Sequence, residues 1–63
     1  MTLTRREREV AVFLLLGLTA KEISTRLSIS SRTVEDHILA CLRKFGVRST
    51  ISLVHELWKL AQE

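Results

Sequence analysis

SISSRTVEDHILACLRKFGV, residues 28–47, decides the fold. Ser28-Ile29-Ser30 is a turn, and Ser30 is an N-cap residue whose hydroxyl can accept from an amide of the next helical turn. Beyond it, Val34, Ile38, Cys41, Leu42 and Phe45 recur at the 3.6-residue period, so one apolar face runs along a helix over 31–45. Ile29 and Val34 are spaced for a hydrophobic staple across the start of that helix. Gly46 stands where a left-handed residue would end it. On the opposite face Arg32, Asp36, Leu39 and Arg43 follow one another, four, three and four residues apart. Glu35 sets a second carboxylate beside Asp36, in a chain of formal net charge +3.

The same signals repeat on the N-terminal side. Thr19 followed by Glu22 is a capping box: the hydroxyl accepts from the N3 amide while the carboxylate reaches back to the cap amide. It opens a short helix, 20–27, that buries Ile23 and Leu27, with Leu18 and Ile23 as its staple. Ser24 is small enough there for another helix to cross closely. Thr4 and Glu7 form a second capping box, opening a helix over 5–16 that Gly17 ends. On the C-terminal side Ser49 caps a helix over 50–62. The prediction is an all-α four-helix bundle. A short helix, a three-residue turn and a longer amphipathic helix make its middle a helix-turn-helix.

The outer helices carry more apolar surface than one small core needs. In VAVFLLL, residues 10–16, Val10, Ala11, Phe13 and Leu14 suit a core stripe. Val12, Leu15 and Leu16 spill around the helix, either to be covered by the fourth helix or to form a docking patch. The fourth helix has two stripes, Val54/Trp58/Ala61 and Leu53/Leu57/Leu60. One serves the core; the Leu53, Leu57 and Leu60 face is expected to make a C2 homodimer contact.

The totals exclude several classes. With 63 residues the chain is one domain, 1–63, and so small a domain buries only about 60% of its unfolded surface. A content of 46% hydrophobic and 27% charged residues is that of a globular rather than a disordered chain. Cys41 is the only cysteine, so no internal disulfide forms and a reducing, cytoplasmic setting is expected. The apolar run is too short to span a bilayer, and TLTRRERE is too polar for a signal peptide. Met1 directly before a helix cap suggests a domain cut from a longer chain. His37 and His55 lie on different helices and Cys41 faces inward, so no metal site is expected. No nucleophile–base set or glycine-rich loop is present, so neither catalysis nor a cofactor is expected.

LTRREREV at 3–10, GLTAKEIS at 17–24, SISSRTVEDH at 28–37 and RKFGVRS at 43–49 together resemble the LuxR/GerE-type DNA-binding domain, in the same order and at matching spacing across nearly the whole chain. The resemblance implies a bacterial transcription regulator, found at the nucleoid when bound to DNA. Such domains usually stand behind a receiver or ligand-sensing domain, as in response regulators, and often pair through their fourth helix. It implies that Lys21 and Thr33 touch phosphate, that Lys44 lies near the DNA backbone, and that Glu35, Asp36 and Leu39 face base edges. Val34 and His37 match positions beside or inside the core. Ser24 stands where Ala is usual and Phe45 where Leu is usual. The base-facing positions, where basic side chains are frequent, carry none here.

The outward line of the third helix then has two readings. As a solvated face it holds an Arg32–Asp36 pair worth a few tenths of a kcal/mol. As a face in a major groove it offers Arg32 and Arg43 to phosphate or guanine, Glu35 or Asp36 to a cytosine amino group, and Leu39 to a thymine methyl. The helix-turn-helix context favours the groove, with double-stranded DNA as partner. Arg48, just before the fourth helix, can join the phosphate contacts. Arg5, Arg6 and Arg8 are expected to pair in part with Glu7, Glu9 or Glu22. Two rivals remain: a domain like the C-terminal region of a sigma factor, and a helix-turn-helix kept mainly for protein contact, its grip on DNA weakened by the two acids.

Overall fold

The computed structural model describes residues 2–62; Met1, and the inference drawn from it, lie outside them. Four α-helices follow in order: α1 (Arg5–Leu15), α2 (Ala20–Leu27), α3 (Ser31–Phe45) and α4 (Thr50–Ala61). There is no strand among the described residues. The expected starts are all met; α1 and α4 each stop one residue early, at Leu15 and Ala61.

Local chemistry fixes each start. Thr4 and Thr19 both form reciprocal capping boxes, with Glu7 and Glu22 respectively. The Glu22 carboxylate accepts from the Thr19 amide at 2.8 Å. That bond and the Thr19 hydroxyl hold its pKa below the ordinary carboxylate value. The Ser30 and Ser49 hydroxyls accept from the amides of Thr33 and Ser52 at 3.0 and 3.1 Å. Each satisfies a donor that a helix leaves without an internal partner, worth about 1 kcal/mol.

The first three helices close on a left-handed residue. Gly17 (φ 88°) and Gly46 (φ 68°) are left-handed. The Leu18 amide donates to the Phe13 carbonyl and the Val47 amide to the Leu42 carbonyl, both at 3.0 Å. These are Schellman closures. Helix α2 ends on Ser28, which takes the left-handed conformation (φ 57°) without being glycine. This is what turns the chain from α2 into α3 within three residues.

Helix α3 packs against each of the other three helices, and α1 also packs on α4. The core is Val10, Ala11 and Leu14 of α1, Ile23 of α2, Val34, Ile38 and Cys41 of α3, and Leu53 and Leu57 of α4. Phe13, Leu15, Leu18, Leu27, Ile29, Leu42, Phe45 and Val54 pack against it from the side. The spill around α1 is therefore partly resolved: Leu15 is half-buried, while Val12 and Leu16 stay exposed and α4 does not cover them.

Candidate nucleic-acid interface

Because Val34, Ile38 and Cys41 face the core, the other side of α3 must face outward. Arg32, Glu35, Asp36, Leu39 and Arg43 are all exposed there. Arg32 and Asp36 pair at 3.6 Å, with both side chains more than half exposed. A pair so open to water holds little, so the two charges remain available to another partner. Leu39 is 48% exposed, and a large apolar side chain among charges gains nothing from water. Glu35 and Leu39 line an open depression together with Ile38, Leu42, Ala20 and Thr50. Ala20 and Thr50 are the first residues of α2 and α4. Two helix N-termini thus stand beside the outward face of α3, each carrying backbone amides and the positive end of a helix dipole. Neither residue stood out in the sequence. The caps Thr19 and Ser49 were legible, but their convergence on one side of α3 depends on tertiary packing.

Lys21 is exposed in the first turn of α2. Thr33 is exposed in the first turn of α3, its hydroxyl 2.8 Å from that of Ser30. The turn between them is tightened by side chains: the Ser24 hydroxyl donates to the Lys21 carbonyl at 2.6 Å and receives the Ser31 hydroxyl at 3.3 Å. Ser24 lets the helices approach, as its size suggests, and also joins them. Arg26 of α2 lies over the Phe13 ring, 6.0 Å from its centroid, and so braces α2 against α1.

Lys44, which the resemblance sets near the DNA backbone, has a partner within the chain. Its ammonium lies 2.7 Å from a Glu7 carboxylate oxygen and donates to the Thr2 carbonyl at 3.0 Å. Glu7 is the one buried charged residue among those described, at 6% exposure. Its carboxylate also accepts from the Thr4 amide at 2.9 Å. The Lys44 ammonium, then the Thr4 amide, hold the Glu7 carboxyl below the ordinary carboxylate value. Of the three arginines of the first helix, Arg6 pairs with Glu9 at 3.5 Å; Arg5 and Arg8 are exposed. One turn before Lys44, the buried Cys41 thiol approaches the Glu7 backbone carbonyl at 3.8 Å. Burial, and then the Glu7 charge, push that thiol up, so it stays protonated at neutral pH.

Helix α4 corrects the dimer assignment. Leu53 and Leu57 are 0% and 6% exposed, in the chain's own core against α1 and α3. They cannot also meet a second copy. Leu60 continues their line beyond the end of the core and is exposed. The outward apolar side chains on the other side of α4 are Ile51, 84% exposed, and Trp58, seven residues on. Of the Val54/Trp58 stripe, Val54 is half-buried and Trp58 is exposed.

An all-α domain with a short capped helix, a tight left-handed turn and a longer helix whose polar face stays open is a helix-turn-helix. Comparison with known proteins agrees. Residues 1–57 match the model of the bacterial regulatory proteins of the luxR family, and the chain belongs to that family, one of helix-turn-helix, DNA-binding transcription regulators. It is 42% identical over 60 residues to the spore germination protein GerE of Bacillus subtilis (strain 168), covering 95% of this chain and 81% of that protein. It is 41% identical over 56 residues to the transcriptional regulatory protein UhpA of Salmonella typhimurium, covering 89% of this chain but 29% of that protein. The solved structure of the transcription factor GerE superposes with a TM-score of 0.83 at 37% identity, covering 97% of this chain and 92% of that one. No helix among the described residues is long and apolar enough to cross a membrane.

Proposed function

We propose that this domain binds duplex DNA sequence-specifically and so regulates transcription, with α3 in the major groove. The observation that carries this reading is the open line Arg32–Asp36–Leu39–Arg43 with Glu35 beside it, on a helix whose other face is locked into the core. Lys21 and Thr33, with the first amides of α2 and α4, position the domain on phosphates. Arg32 and Arg43 contact phosphate or guanine. Glu35 or Asp36 accepts from a cytosine amino group, and Leu39 meets a thymine methyl. The acids thus select sequence at the expense of general affinity: a carboxylate facing a base acceptor is left unpaired and repelled.

A dimer is the natural state for such a reader, since two half-sites multiply selectivity. We place its contact on the outward side of α4, at Ile51 and Trp58. Trp58→Glu is expected to leave the fold intact and abolish a concentration-dependent dimer in sedimentation equilibrium. A dimer that persists in that variant removes α4 from the contact. Because UhpA is much longer than this chain, we also propose that a receiver or ligand-sensing domain controls the domain in the full regulator.

The test of the main reading is selection of binding sites from random duplexes, followed by titration of the selected duplex at several salt concentrations. With about three phosphates neutralised per subunit, log affinity falls by about 2.7 for each tenfold rise in salt. Selection that enriches no sequence, or binding indifferent to salt, would overturn the proposal.

A further inference from the structure

The Lys44–Glu7 contact has a geometry that contact with phosphate does not explain. Helical geometry turns about 100° per residue. Along α3, Lys44 therefore lies about 140° from Leu39, about 180° from Glu35 and about 80° from Asp36, but only about 60° from the buried Cys41. It stands on the flank of α3 that Thr33 shares, about 20° away, and its side chain turns toward α1. There its ammonium closes on a carboxylate that is itself buried and held by the amide of the N-cap residue Thr4. The Cys41 thiol takes hold of the same residue one turn earlier. Two side chains of α3 thus grip one residue of α1, 34 and 37 positions away in sequence. The other end of α3 is tied to α2 by the Ser31 and Ser24 hydroxyls. The recognition helix is held near both ends, and the grip at its C-terminal end is ionic.

We infer that Lys44 is a positioning residue for DNA recognition: through Glu7 it sets the tilt and rotation of α3 on α1, and it does not contact phosphate. This rests on the reading of α3 as the base-contacting helix. A buried carboxylate that loses its cation must find water, and α3 can supply that only by moving. Movement of α3 displaces Glu35, Asp36 and Leu39 from base edges while the phosphate contacts of Lys21 and the helix N-termini survive. Selective binding should therefore fall and non-selective binding should not.

The test compares Lys44→Met, Lys44→Arg and Glu7→Gln, and the double variant Glu7→Gln/Lys44→Met, each first checked for native helicity. Residual dipolar couplings of the free proteins report the orientation of α3 relative to α1, with no DNA present. Affinities for the selected duplex and a scrambled duplex are then measured across salt. Lys44→Met and Glu7→Gln should each reorient α3 and weaken the selected duplex about tenfold, the double variant no further. Scrambled-duplex affinity and the salt slope should stay as in the wild type, and Lys44→Arg should retain most of the selectivity. If Lys44→Met does not fold, Glu7→Asp shortens the carboxylate by one methylene, keeps the charge, and should give the same loss. An unmoved α3 overturns the inference, as does a salt slope reduced by about 0.9 in Lys44→Met with Glu7→Gln behaving as wild type, the signature of a phosphate contact. A wild type that does not distinguish the two duplexes would instead count against the reading of α3, while the couplings still decide whether Lys44 positions it.

Discussion

Helices α3 and α4 are built alike inside and differently outside. Each sends one apolar stripe into the common core: Val34, Ile38 and Cys41 from α3, Leu53 and Leu57 from α4. The outward side of α3 is charged, with Leu39 as its one large apolar residue. The outward side of α4 shows Ile51 and Trp58, with the exposed His55 between them. A charged groove-filling helix suits a polyanion. An apolar one suits another protein surface, because it releases water without needing a partner for every charge. Under the proposed function, recognition is divided between two helices whose inner faces are interchangeable in kind.

The sharpest way to break this comparison is on α4. Leu53→Ala should cost about 3 kcal/mol of stability, read as a lowered thermal midpoint, because it empties a fully buried site. Trp58→Ala should stay within about 0.5 kcal/mol in the monomer. Equal losses would mean that α4 has no distinct outer face. The next largest effect is on α3. Replacing Glu35 and Asp36 together by Ala should relax base preference at defined positions of the selected site, by about 1–3 kcal/mol for each lost base contact. A uniform rise in affinity for every duplex would instead assign the acids to repulsion alone, and would favour the protein-contact rival.

Acidification separates the buried charge from these outer faces. The Glu7 pKa is lowered in the folded protein, so its stabilising contribution is complete above the ordinary carboxylate pKa. It is lost as pH falls through the lowered value. Between about pH 5 and pH 3 the thermal midpoint of wild type should therefore drop more steeply than that of Glu7→Gln. Matching pH profiles would mean the Lys44 contact contributes nothing to the fold. The smallest effect belongs to the Arg32–Asp36 pair: Asp36→Asn should change stability by a few tenths of a kcal/mol at most. A larger loss would make the outer face of α3 part of the fold.

The contrast between α3 and α4 also explains what could be read in the sequence. Cap chemistry is local, so Thr4, Thr19, Ser30 and Ser49 gave all four helix starts. On α3 the two faces differ in chemistry, and periodicity alone tells which one is buried. On α4 both stripes are apolar, and periodicity cannot choose between them; packing against α1 and α3 does, and it took Leu53 and Leu57. The Lys44–Glu7 contact was hidden for a related reason: its two residues stand 37 apart in sequence. The available signal was angular: a lysine close to the buried line of α3, and a capping-box glutamate on a helix that must pack against it.

Cys41 gives the domain a clock for its own opening. The sulfur is fully buried where α3 meets Glu7 of α1, and it stays protonated. An alkylating reagent can reach it only after those two helices part. The rate of labelling under native conditions then measures how often the recognition helix comes off its support, residue by residue the same event that the Lys44 ion pair opposes. If α3 seats in the groove as proposed, DNA should slow the labelling in proportion to its occupancy without needing to reach the buried thiol, because a seated helix has fewer occasions to leave.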